Sequence, residues 1–318
     1  MTAATLAVAL TASLTAGCSP GGDDRDDGRA PERGSASSSR AAEGTPPDAG
    51  PVLAVKIDNA RKARPHTGLD AADIVYAEQV EGGLSRLMAV YATRLPKVVG
   101  PVRSARESDL ELLRQFHRPT LAFSGAQRKL LPLIDEAPLQ AEPPGRTREA
   151  YFRGTDRPAP HNLFLRPTRL LDSAPGPYAL STGFRYGPAP TGGTPENART
   201  VRFPAASFTF TWSDRRDGWL VAMDGADAKP TDGLQLAPAT VVVQHVHIRP
   251  SDFHDSNGNY TPFIETVGSG RAEVLRDGKA YDAHWKREVA TDGTRFTTED
   301  GTPMNFADGQ VWVVFVKA

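Results

Sequence analysis

The side chains best able to do chemistry are concentrated between Glu78 and Arg106. Glu78, Glu81 and Arg86 flank a Gly82-Gly83 pair, and Gly100-Pro101-Val102-Arg103-Ser104-Ala105-Arg106 leads into a stretch that reads as a helix start. Guanidinium groups grip phosphate and carboxylate through paired N–H donors, so Arg86, Arg103 and Arg106 form a candidate cradle for an anion. A helix N-terminus beside them would add unpaired N–H groups of the same polarity. Asp58, which follows the apolar run Leu53–Ile57, and Glu81 are the carboxylates expected close by. The competing reading is structural, with Arg86 and Arg103 pairing with Glu78, Glu81 or Asp58 to brace the fold. His161-Asn162, after Arg157-Pro158-Ala159-Pro160, sits at another expected helix start. His161 either caps that helix or faces the same cleft. No Gly-x-Ser-x-Gly elbow surrounds Ser104, which argues against a hydrolase nucleophile at that serine.

Two further groupings point to metals and fall short. His245 and His247 are two apart on an expected strand and share a face, with Asp252, His254 and Asp255 following. A third ligand at a fixed spacing is missing. Asp255-Ser256-Asn257-Gly258-Asn259 has its glycine at the fourth position of a calcium loop rather than the sixth, and Thr266 stands where the bidentate acid belongs. Neither a metal nor a cofactor is expected.

The elements that must position the arginines alternate. Leu53–Ile57, Asp73–Val80, Leu87–Ala92 and Thr120–Ser124 read as strands. A capping-box pattern at Ser108-Asp109-Leu110-Glu111 precedes Leu112, Leu113 and Phe116, which predicts a helix. Further helices are expected from Gln127 to about Pro132 and from Asn162 to Asp172. Alternating strands and helices predict an α/β domain over 51–190, with the arginines where strand ends meet helix starts. Beyond a Pro- and Gly-rich stretch between about 175 and 205 the pattern turns to strands: Ser207–Trp212, Thr240–Ile248, a hairpin over Arg271–Trp285 turning at Asp277-Gly278, and Val311–Val316. The expectation is thus an α/β N-terminal domain followed by a mostly-β C-terminal domain over 195–318.

The N-terminal region reads as processing and tether rather than fold. Residues 1–18 are free of charge and rich in Ala, Leu, Val and Thr, and they end in Leu14-Thr15-Ala16-Gly17-Cys18. Small residues before a cysteine after an apolar stretch resemble a lipoprotein signal peptide and its lipobox, with Cys18 as the lipidated residue, although the usual basic start is missing. Residues 19–50 hold seven acids, four bases and almost no large apolar side chain, and read as a disordered tether. The expected location is the cell membrane, lipid-anchored on its extracytoplasmic face. Cys18 is the only cysteine, which excludes an intrachain disulfide. A net charge of −1 argues against a nucleic-acid partner.

Several of these strings, in order, resemble the YerB-like lipoprotein family: Lys56-Ile57-Asp58-Asn59, Arg64-Pro65-His66-Thr67-Gly68-Leu69, Ala72-Asp73-Ile74-Val75-Tyr76, Glu81-Gly82-Gly83-Leu84-Ser85-Arg86 and the Gly100–Arg106 string. Val267–Ala272, His284–Arg287 and Asp308–Trp312 extend the resemblance into the C-terminal half. It implies an envelope lipoprotein with an N-terminal α/β part and a β-rich C-terminal part, and it implies no activity, catalytic residue or cofactor. The functional expectation from the residues is therefore a non-catalytic lipoprotein that holds an anionic ligand or an envelope protein at Asp58, Glu81, Arg86, Arg103, Arg106 and His161. The alternative is a phosphotransferase-like enzyme acting on phosphate or pyrophosphate of an envelope precursor.

Overall fold

The computed structural model describes residues 49–255 and 258–318. Cys18, the expected signal peptide, nearly all of the expected tether, and Ser256-Asn257 of the loop compared with a calcium site lie outside the described residues.

The strand Leu53–Asp58 (β1) shows how the molecule is built. Its sequence, LAVKID, is buried throughout because its sheet is covered on both faces. Leu53, Val55 and Ile57 point to one side; Ala54, Lys56 and Asp58 point to the other. Ile74–Gln79 (β2) and Ser85–Tyr91 (β3) form an antiparallel hairpin across the Gly82-Gly83 turn, and β3 pairs antiparallel with β1. Both glycines hold φ near +70°, and a Cβ on Gly83 would meet the Pro204 ring at 2.5 Å, so the turn needs glycine for conformation and for packing. Thr120–Ala122 (β4) and Gln140–Glu142 (β5) extend the sheet in parallel beyond β1.

The sheet does not stop at the N-terminal half. Its order runs Arg295–Thr298, Lys279–Arg287, Gly268–Arg276, Thr240–Val246, Val311–Lys317, β2, β3, β1, β4, β5, and Thr194–Pro195 makes it eleven-stranded by pairing with Lys279–Arg287. Val311–Lys317 lies between β2 and Thr240–Val246, parallel to both. One face packs on a four-stranded antiparallel sheet through Phe208, Phe210, Trp219 and Val221, against Val55, Leu87, Trp312 and Val314 of the large sheet. The other face, with Ala54, Tyr76, Met88, Val90 and Phe315, is covered by Glu107–Leu113 (α1), Leu131–Glu136 (α2) and connecting segments.

This corrects the expected fold class. The molecule is mostly β, with two α-helices among the described residues, of seven and six residues, and no α/β N-terminal domain. The helix expected over 162–172 is instead a strand at Leu163–Leu165 followed by a 3-10 turn at Pro167–Arg169. Pro132 lies in the first turn of α2 instead of ending a helix, a position where its missing N–H costs nothing. β1, β2 and β3 are joined by turns and antiparallel pairing rather than by helical crossovers. The hairpin at Asp277-Gly278 forms as expected, with both turn residues at positive φ.

Candidate functional site

Sheet register assembles the site. Asp58, Arg86 and Glu78 stand directly opposite one another across β1, β3 and β2, so their side chains share the face beneath α1. Lys56 lies one row deeper, opposite Met88. The Gly100–Arg106 segment runs along the end of β1: the N–H of Asp58 donates to Pro101 O at 2.9 Å and that of Arg103 donates to Lys56 O at 2.8 Å. This lays Arg103 and Arg106 over the same row. Arg86, Arg103, Arg106, Asp58 and Glu81 are thereby brought together, and Arg86 feels the charge of all four others.

The three arginines differ in what they touch. Arg106 is committed to Glu81, with Nε on Oε1 at 2.6 Å and Nη2 on Oε2 at 2.8 Å. Thr261 Oγ1 adds a bond to the same Oε1 at 2.5 Å. Burial alone would raise the Glu81 carboxyl, but these bonds, with the Arg106 and Arg86 charges, hold it below its usual value. Arg103 has a looser contact, Nε to Asp58 Oδ2 at 3.4 Å. Arg86 is half-buried, donates from Nη1 to Ser104 O at 3.0 Å, and has no carboxylate within ion-pair distance among the described residues. Burial, and then the neighbouring Arg106 and Arg103, push its pKa down to about 9 although Glu81 and Asp58 oppose the shift.

His161 reaches the cluster and caps no helix. Its Nδ1–H donates to Asp58 Oδ2 at 2.8 Å. Asn162 bonds Arg153 and Gly154 instead. His66, in a loop, is buried; its Nε2–H donates to the Asp58 carbonyl at 3.0 Å, and burial pushes its pKa down to about 4. The helix start contributes no anion site: α1 has only seven residues, and the Arg106 N–H is already taken by Asp109 Oδ2 at 2.7 Å.

A buried ion cluster beside the site escaped the sequence reading. Lys56 Nζ donates to Glu78 Oε2 and to Asp109 Oδ1, the latter at 2.6 Å, and all three side chains are almost wholly buried. Burial, reinforced by the Asp109 charge against the pull of Lys56, pushes the Glu78 carboxyl up to about 8. With Glu78 protonated, the cluster is neutral overall. The available signal was Lys56, a lysine set between Val55 and Ile57 in an apolar run.

The hairpin formed by Ile248–His254 and Tyr260–Ile264 lies over α1. Ser251 Oγ donates to Glu107 Oε2 at 2.5 Å, and Ile264 N–H donates to Ser108 Oγ at 2.9 Å. The two histidines near it do not converge: His247 pairs with Glu265 at 2.9 Å, while His245 is half-buried on another strand. Two concavities occur elsewhere, one of about 610 Å³ by Arg118, Glu142 and Arg146, the other of about 290 Å³ by Tyr281 and Asp300. Neither includes the arginine row.

Comparison with known proteins fits this architecture. Residues 38–178 match the N-terminal domain, and 199–313 the C-terminal domain, of a protein family of unknown function, DUF3048. YerB of Bacillus subtilis (strain 168), whose name describes it as a lipoprotein, is 24% identical over 277 residues, covering 83% of this chain and 80% of that protein. The crystal structure of Bacillus subtilis YerB superposes with a TM-score of 0.68 at 19% identity, covering 84% of this chain and 91% of that one, which speaks to the fold. With both family domains present in order and the fold shared along most of its length, the chain belongs to the YerB-like lipoprotein family.

Proposed function

We propose that this chain is a lipid-anchored envelope lipoprotein that binds an anionic group, phosphate or carboxylate, at Arg86 and Arg103. The lipoprotein name of the Bacillus subtilis relative and the cysteine at the end of the apolar leader support the anchor. Among the described residues no helix is long and apolar enough to cross a membrane.

The observation that carries the binding site is Arg86. A half-buried guanidinium beside two others, with no carboxylate in contact, costs free energy that a bound anion would offset. Arg103, held only at 3.4 Å from Asp58, keeps donors available for the same ligand. Arg106, locked on Glu81, serves as a fixed wall. Titration calorimetry with inorganic phosphate, phosphate esters and small carboxylates tests the reading. The wild-type chain should bind at least one of these anions. Arg86→Ala and Arg103→Ala should each weaken binding at least tenfold. Normal anion binding by both variants would overturn the proposal.

A further inference from the structure

Asp58 does more than balance Arg103. Its carboxylate is nearly fully buried and accepts the Nδ1–H of His161. With Nδ1 protonated, the neutral ring carries its lone pair on Nε2. Among the described residues Nε2 makes no hydrogen bond, and the side chain keeps 16% of its surface open to solvent. A buried carboxylate behind an imidazole stabilises the imidazolium that forms when Nε2 takes a proton. Arg103 Nε approaches the same Asp58 oxygen that His161 holds, so ring and guanidinium stand side by side, and Arg86 lies opposite Asp58 in register. A proton acceptor therefore borders the proposed anion site.

We infer that this site hydrolyses a phosphodiester, with His161 as the general base acting on water. The inference rests on the reading of Arg86 and Arg103 as an anion site. Net charge fits this substrate class. Three arginines against Asp58 and Glu81 leave one positive charge, which matches the single negative charge of a diester. The adjoining Lys56 cluster adds none while Glu78 holds its proton. In the step, the water oxygen bonds to phosphorus as one ester P–O bond breaks. The water proton passes to His161 Nε2 and on to bulk water, while the departing oxygen, on the far side of phosphorus, takes a proton from bulk water, giving a phosphomonoester and an alcohol with water as the sole co-reactant. Arg86 and Arg103 neutralise the phosphoryl oxygens as their charge grows in the transition state. Asp58 is a positioning residue that fixes the tautomer.

Bis(4-nitrophenyl) phosphate reports both binding and turnover, the latter by release of 4-nitrophenolate. The wild-type chain should bind it and release nitrophenolate. His161→Gln and His161→Ala, each checked for an unchanged melting temperature, should bind within about twofold of wild type and lose turnover at least about 100-fold. Asp58→Asn should slow turnover and displace the pH–rate profile, which a merely structural role would not do. Arg86→Ala, purified identically, should bind at least tenfold more weakly and lose turnover, and so controls for a contaminating hydrolase. Binding without turnover in the wild type, or turnover that survives loss of His161, overturns the catalytic inference and leaves the anion site standing. No binding of this ester or of any simple anion overturns both.

Discussion

Side chains of one type, a few residues apart, do opposite things here. Arg106 and Arg86 both lie by Glu81, yet only Arg106 grips it with two bonds. Arg106→Ala would strand a buried carboxylate and should cost about 3–5 kcal/mol. Arg86→Ala removes a cation crowded by two others and should leave stability unchanged or raise it slightly. Thermal and urea unfolding of the two variants side by side should show the contrast, and equal losses would make both arginines structural. Glu78 supplies a test with pH. Its carboxyl titrates near 4.5 when unfolded and is pushed up to about 8 when folded, so the folded chain holds the extra proton between those values. Stability from this group is complete below about 4.5 and is lost as pH rises through 8, by an amount on the order of a few kcal/mol. Glu78→Gln, which mimics the protonated acid, should flatten that slope in denaturant titrations run from pH 5 to 9. The arginine neighbourhood was legible in the sequence because its members crowd into short strings around two turns. The Lys56 cluster was not, since its partners lie 22 and 53 residues away and meet only through sheet register and the docking of α1.

At the level of elements, α1 shows why the helical reading overreached. Seven residues are too few for a helix to persist by itself in water. It exists because others hold it. Glu111 Oε1 accepts from the N–H and the hydroxyl of Thr266 and from the N–H of Val267. Arg287, 1% exposed, donates to the carbonyls of Glu111, Leu112 and Asp292 and to the Thr266 hydroxyl. A guanidinium buried among carbonyls supplies the partners that a short helix leaves unmet at its C-terminal end. Arg287→Met keeps most of the volume and removes every donor, so it should cost roughly 2–5 kcal/mol in chemical denaturation, with α1 amides losing hydrogen-exchange protection first. None of these supports is visible in a local window. The capping pattern at Ser108 was real chemistry in a different role, since Ser108 Oγ accepts from Ile264 across the fold. The strands, by contrast, read correctly where a β-branched or apolar run meets a glycine turn, as around Gly82-Gly83 and Asp277-Gly278.

At the scale of the molecule, the two family domains share one sheet. The joint is the pairing of β2 with Val311–Lys317, which places residues some 240 positions apart in a parallel ladder near the sheet's middle. A Pro- and Gly-rich stretch in the sequence suggested a break between two layered units, and composition could not show that strands on its two sides hydrogen-bond directly. The expected behaviour is one cooperative transition. Far-ultraviolet circular dichroism and tryptophan fluorescence should give coincident urea midpoints, because Trp219 and Trp312 both sit against the shared sheet. Two separated midpoints would mean that the joint is weak.

The central place of Val311–Lys317 has a consequence for the life of the nascent chain. Synthesis proceeds from β1 onward, and this strand is the last of the sheet to be made. Until it arrives, β2 and Thr240–Val246 each present an open, apolar edge, with nothing to fill the gap between them. The core of the shared sheet therefore cannot seal before Val311–Lys317 has been made. A stop codon placed just before Val311 should leave both edges unpaired and yield a chain that chaperones hold and proteases clear.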